Sequence, residues 1–368
     1  MKHWIRGLFI PLLLQVSIVS YADTIPIAAI YALSGPAAMG NSYSLAGVRL
    51  AVAELNQKGG VLGKLIELQT FDNQSTPIGS HMAAQQAAEA GVAAIIGAPW
   101  STHSLPIAKV AQENGIPMIS DFSTHPGVTA IGDFIFRVCF TDDFQGRAMA
   151  RFAQEDLKAA TCVIFINLTS EYSIYLANII QQDFEARGGQ SLARIEYKPN
   201  QPSFAPLVQK AMEADADVMF LTGHDESGLI LKEAQGQKIR SIPLGGDGWS
   251  VESFFIKGGN LIKRGYYCTH WSKDMESQAS DTFLSKYQDK VDLDPGMALA
   301  YDAIMLLADA IRRAGSLDRN QIRDALAMTR AFPGVTGTIS FDENGDPLKN
   351  VVIMEIRDGR SFYLKTMQ

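Results

Sequence analysis

The chain has 368 residues, 32 basic and 39 acidic side chains and a formal net charge of −7, with 47% hydrophobic residues. It is long enough for two cores, and its acidic, evenly mixed charge argues against nucleic-acid or anionic-membrane binding. Its three cysteines, Cys139, Cys162 and Cys268, have no close spacing, so neither a disulfide framework nor a zinc motif is visible. They fall in or beside the strand-like runs FRVCF, TCVIFI and YYCTH, where buried thiols are expected; a single disulfide stays open for an exported chain.

Lys2 and Arg6 followed by an apolar run from Leu8 to Val19, and small residues at Ser20 and Ala22, predict a secretory signal peptide over residues 1–22. Cleavage near Ala22 would remove two positive charges and no acids, moving the net charge from −7 to −9. No later segment approaches about 18 uninterrupted apolar residues, so no membrane insertion is expected.

The mature chain opens on an apolar strand, Thr24 to Leu33, then a Ser34-Gly35-Pro36 turn and a helix stopped by Gly59-Gly60. LIELQTF, a loop over Asp72 to Pro77 and an Ala-rich helix to Gly91 follow. From Ala93 to Pro126 the pattern is strand, loop, helix, strand, loop, which is a βαβ unit. Ligands of such units sit beyond the carboxyl ends of the strands. Here those places hold Pro99-Trp100-Ser101 and Asp121 to Thr124. A helix start offers unpaired N–H groups and a positive dipole end, so Ser101 and Thr124 would add hydroxyls to an anion site suited to a small carboxylate. The alternative is that Ser101 caps its own helix and Thr124 closes a turn.

After Arg137 a second α/β series begins, with strands at TCVIFIN, Ala193 to Tyr197, DVMFLTG and IPLGG. Its strand ends carry Glu171-Tyr172, His224-Asp225 and Asp247 with Trp249. Asp247, flanked by Gly246 and Gly248, suits an ammonium group, with Tyr172 as neighbour; an ordinary turn acid is the alternative. Trp100, Phe122 and Trp249 are either apolar walls of a pocket or lobe core. His103, His125 and His224 lie in the same loops, but their spacing matches no metal-ligand motif, so no metal or cofactor is expected. No nucleophile elbow, HExxH, Walker A, GxGxxG or CxxC motif occurs, so no enzyme is expected. Three helices, Asp281 to Lys290, Ala298 to Ala314 and Arg319 to Met328, imply a return to the first lobe, and GTISFDENGDPLKNVVIMEI reads as strand, Asn344-Gly345 hairpin turn, strand. Asp342 to Asp346 is expected to be a plain turn and not a calcium loop, since the later Glu and flanking helices are missing.

These segments, in order, carry a resemblance. SGPAA, AGVRLAVAELNQKGGVLG, FDNQSTP, IIGAPWSTHSLPIAKVAQENGIPMIS, FRVCFTDDFQG, GGDGW, AYDAIMLLADAI and VTGTISFDENGD resemble the type I periplasmic binding proteins of the leucine/isoleucine/valine-binding group. The resemblance implies an α/β fold of two doubly wound parallel-sheet lobes joined by three crossings, near Phe140-Thr141, Cys268-Thr269 and Leu348-Asn350, with a cleft between. The expected lobes are residues 23–140 with 270–348, and residues 141–269 with 349–368. It further implies a monomeric periplasmic receptor that closes on an α-amino acid and presents it to the membrane permease of an ABC transporter. Ser101 and Thr124 are similar to the carboxylate-binding pair, Phe122 to the residue whose carbonyl holds the ammonium, and Tyr172 and Asp247 to the ammonium-binding tyrosine and acid. Two cysteines of some relatives are absent, Trp100 standing where one would lie, and Pro295-Gly296-Met297 replaces an aromatic pocket residue, so leucine is not singled out. The alternatives are a same-fold receptor for a carboxylate or amide without the amine, and a sensory ligand-binding protein.

Overall fold

The computed structural model describes residues 24–237 and 239–368. The expected signal peptide therefore lies outside the described residues. The chain begins β1 (Ile25–Tyr31), α1 (Ala38–Gln57), β2 (Ile66–Asp72), α2 (Pro77–Glu89), β3 (Ala94–Gly97), α3 (Ser101–Glu113), β4 (Met118–Ser120) and β5 (Ile135–Arg137). It continues with α4 (Asp142–Glu155), β6 (Thr161–Asn167), α5 (Glu171–Ala186), β7 (Gln190–Tyr197), α6 (Ala205–Ala214), β8 (Val218–Leu221), α7 (Ser227–Gly236), β9 (Ile242–Gly245), α8 (Glu252–Lys257) and β10 (Arg264–Thr269). It ends with α9 (Gln278–Tyr287), α10 (Pro295–Ala314), α11 (Arg319–Ala327), β11 (Phe332–Gly334), β12 (Gly337–Ile339), β13 (Val351–Arg357) and β14 (Arg360–Met367).

The first sheet is all parallel in the order β2-β1-β3-β4-β5. In the second, β7-β6-β8-β9-β10 repeats that order, again parallel, and β13 and β14 extend it antiparallel. Short, fully apolar strands such as AIIG and VMFL require cover on both faces, as parallel sheets do. Helices α1 and α10 cover one face of the first sheet, α2 and α3 the other. Helices α4 and α5 cover one face of the second, α6 and α7 the other. The result is a two-lobed α/β fold. Strand order 2-1-3 reverses direction between β1 and β3 and between β6 and β8, and the loops beyond those carboxyl ends are where such sheets bind ligands.

The chain passes between the sheets three times: between β5 and α4, between β10 and α9, and between β12 and β13. At the third passage the buried Lys349 donates to the Val138 carbonyl at 2.9 Å and to Thr336. Burial pushes its ammonium down to about 8, against the pull of Asp302. The expected hairpin over residues 337–356 is not formed. β12 pairs with β11, β13 pairs with β10 and β14, and the Asn344-Gly345 turn is closed locally, by the Phe341 to Pro347 bridge and by the Asp342 N–H donating to the Asp346 carbonyl at 2.9 Å. Within that turn Asp342 Oδ1 accepts the N–H groups of Asn344 and Asp346, each at 2.9 Å. The turn chemistry is local, but β13 finds two longer partners in the other lobe.

Asp294 caps α10 by accepting the Gly296 N–H at 2.7 Å, and its burial pushes the carboxyl up to about 7. A folded-state pKa above the unfolded value means that its contribution is whole at low pH and is lost as pH rises toward 7. Asparagine keeps the cap without the buried charge. Asp294→Asn is expected to change the melting temperature little at pH 4 and to raise it by several degrees at pH 8, measured as the difference from wild type at each pH.

Candidate ligand site

The first lobe builds its side of the site from two loops locked to each other. The Ala98 carbonyl lies 2.6, 3.1 and 2.9 Å from the hydroxyls of Ser104, Ser120 and Ser123, which fixes the loop leaving β3. Trp100 occupies the N-cap position of α3 and supplies no side-chain cap. Ser101 is the first helical residue, and its hydroxyl accepts the His125 N–H at 3.2 Å instead of capping its own helix. The N–H groups of His103 and Ser104 both donate to the Trp100 carbonyl at 2.9 Å, which leaves those of Ser101 and Thr102 at the start of α3. Below the second loop the fully buried Arg137 donates to the carbonyls of Ser123 (2.5 Å) and His125 (3.0 Å), to Thr129 Oγ1 (2.8 Å) and to Asp346 Oδ1 (2.6 Å). Thr124 lies between the two carbonyls that Arg137 holds.

The second lobe presents Asp247 at the end of β9. A Cβ at Gly246 would fall 2.3 Å from Tyr172 Oη, and one at Gly248 2.9 Å from the Gly223 carbonyl, so a side chain at either neighbour of Asp247 would displace the groups around it. Gln145 Nε2 donates to Asp247 Oδ1 at 3.0 Å and to Asp142 Oδ1 at 2.7 Å, while its Oε1 accepts the Asp247 N–H at 3.1 Å. His270 Nε2 lies 2.9 Å from Asp247 Oδ2. A carboxylate only accepts, so Nε2 carries the proton. His270 stacks on Phe140 at 3.7 Å and receives the Phe122 edge at 5.0 Å. Each carboxylate oxygen has two lone pairs, so Asp247 keeps acceptor capacity toward the cleft. Burial, then the nearby Asp247, push the Asp142 carboxyl and the Tyr172 phenol well up; Tyr172 stays a neutral hydroxyl, with Oη accepting the Gly248 N–H at 3.3 Å.

The lobes meet over this site. Trp100 stacks on His224 with centroids 4.3 Å apart, Tyr172 lies 4.7 Å from His224, and Thr102 Oγ1 accepts the Glu171 N–H at 3.1 Å. Trp100, Ser101, Phe122 and Thr124 from the first lobe and Tyr172, His224 and Asp247 from the second line one narrow pocket.

The family model for periplasmic binding proteins matches residues 24–360. The chain belongs to this family. The leucine binding protein LivK of Thermotoga maritima is 34% identical with a TM-score of 0.89, the match covering 94% of this chain and 99% of that one. The branched-chain amino acid transporter substrate binding protein LivJ of Streptococcus pneumoniae, solved with isoleucine, is 28% identical with a TM-score of 0.87 over 94% and 99% of the two chains. A leucine-, isoleucine-, valine-, threonine-, and alanine-binding protein of Pseudomonas aeruginosa is 27% identical over 335 residues, 89% of this chain and 88% of that protein.

Of the two readings of Trp249, pocket wall and candidate ligand contact or lobe core, the structure contradicts the first. The indole does not line the pocket: it is fully buried and stacks on Phe254 at 4.6 Å in the second-lobe core. Residue 249 closes a one-turn 3-10 helix that folds back under β9, turning the ring inward. His103 stacks on Trp100 behind the pocket, its imidazole pushed down to about 4 by burial; His125 accepts the Gly127 N–H through Nδ1 at 2.9 Å. Cys139, Cys162 and Cys268 are all free and buried. Sequence reasoning missed Gln145, His270 and Arg137. The i, i+3 spacing of Asp142 and Gln145 on one helix face was the sole signal for any of them.

Proposed function

We propose that this protein is a periplasmic receptor that closes on an α-amino acid and delivers it to the membrane permease of an ABC importer. The observation that carries the reading is the polarity of the pocket. Ser101, Thr124 and the start of α3 supply donors on one side, and Asp247 supplies a carboxylate on the other. A dipolar ligand with carboxylate and ammonium one carbon apart matches that arrangement. Tyr172 and the Phe122 carbonyl complete the ammonium site, and Trp100 borders the side chain. Ligand contacts to both lobes give the closed state differential affinity, without which no ligand shifts the equilibrium. The two moving bodies are residues 23–140 with 270–348, and residues 141–269 with 349–368. The mature chain begins after Ala22 and acts as a monomer. The names of the relatives support the amino-acid reading.

Isothermal titration of the mature, ligand-stripped protein with α-amino acids and with the same acids lacking the amine tests it. α-Amino acids are expected to bind and their deaminated analogues to bind at least about a hundredfold more weakly, as loss of a buried charge partner implies. Equal affinity for the deaminated acids overturns the reading.

A further inference from the structure

His224 is the one polar pocket residue that the carboxylate and ammonium sites do not use. It is 9% exposed, stacked on Trp100 and tilted against Tyr172, and it borders the pocket. Among the described residues no protein group hydrogen-bonds its ring nitrogens, although Asp225, Glu226 and Asp247 stand nearby. Those neighbours are engaged elsewhere: Asp225 pairs with Lys257 at 2.8 Å, Glu226 accepts from Asn167 at 2.7 Å and Tyr197 at 3.1 Å, and Asp247 takes Gln145 and His270. Burial pushes the imidazole pKa down, so at neutral pH the ring is uncharged and offers one donor and one acceptor.

We infer that His224 hydrogen-bonds the side chain of the ligand, and that the site selects α-amino acids with a short hydroxyl- or amide-bearing side chain over their apolar isosteres. Closing the cleft on an apolar side chain removes water from the His224 nitrogens and leaves them unpaired, which disfavours that ligand by about tenfold or more. A hydroxyl or amide in the same place satisfies the ring. Sites built to hydrogen-bond a substrate group discriminate strongly against the analogue that lacks it. Among the remaining walls Gly40 and Gly248 leave room and Pro99, Trp100 and Val251 narrow it, while the Trp100–His224 stack spans the cleft, which together fit a short side chain.

The inference rests on the amino-acid reading above, and isosteric pairs separate the two. The mature, ligand-stripped protein is titrated with threonine against valine and with asparagine against leucine. The polar member of at least one pair is expected to bind about tenfold or more tightly. In His224→Phe, which keeps a ring to stack on Trp100, that ratio is expected to fall to about one with the affinity for the apolar member retained. Polar-to-apolar ratios below tenfold in both pairs, or an unchanged ratio in His224→Phe, overturn the role of His224 and leave the amino-acid reading standing. Binding of no α-amino acid overturns both.

Discussion

Asp247→Ala is expected to weaken α-amino acid binding by about two to four orders of magnitude, the range for removing one partner of a buried, hydrogen-bonded charge pair. Asp247 does more than add a negative charge to the pocket. Its two oxygens are already oriented by Gln145 at 3.0 Å and His270 at 2.9 Å, so the carboxylate is held in place before a ligand arrives. Preorganisation of this kind lowers the entropic loss on binding. Asp142 is adjacent; burial and Asp247 both push its carboxyl up, and the alanine variant removes only the second of these causes. Asp247→Asn keeps an acceptor for His270 while removing the charge, and should lose nearly as much affinity as the alanine variant. Titration calorimetry gives the loss, and the unliganded melting temperature checks that the variant folds. Binding by the alanine variant within tenfold of wild type would show that the ammonium is held elsewhere.

Arg137→Ala should produce the largest loss of stability. The guanidinium side chain is fully buried and satisfies two carbonyls, one hydroxyl and the Asp346 carboxylate, itself only 15% exposed. Removing one partner of a buried pair costs about 3–5 kcal/mol, because the other stays buried without compensation. At roughly 2–4 °C per kcal/mol, the melting temperature is expected to fall by about 10 °C. Affinity should fall as well, since the Ser123 and His125 carbonyls that bracket Thr124 are then no longer held. Lysine should rescue little: it has no planar fork to reach separate acceptors at once. Calorimetric unfolding of the variant within 2 °C of wild type would refute the role, on the same scale.

The alternation of short apolar runs with helices stopped by glycine made the two α/β series legible, because strands covered on both faces and amphipathic helices leave distinct local periods. Given those elements, the rule that ligands sit beyond strand ends points to Ser101, Thr124, Tyr172 and Asp247, and the structure brings them to one pocket. Trp249 misled because a tryptophan beside a glycine-rich turn has no local mark that says which way its ring faces. The Asn344-Gly345 turn misled for a related reason: its signal is real, yet the strand that follows is claimed by β10 and β14.

What the sequence by itself determined was the kind and order of the elements and the loops that could carry chemistry, since these depend on neighbours within about one to two turns. The partnerships that make the site were decided by tertiary structure alone. Gln145 and Asp247 are 102 residues apart and Arg137 and Asp346 are 209 apart. They meet because three passages between lobes bury apolar faces contributed by distant segments, and a hydrogen bond at 3 Å follows from that packing, not from any local period.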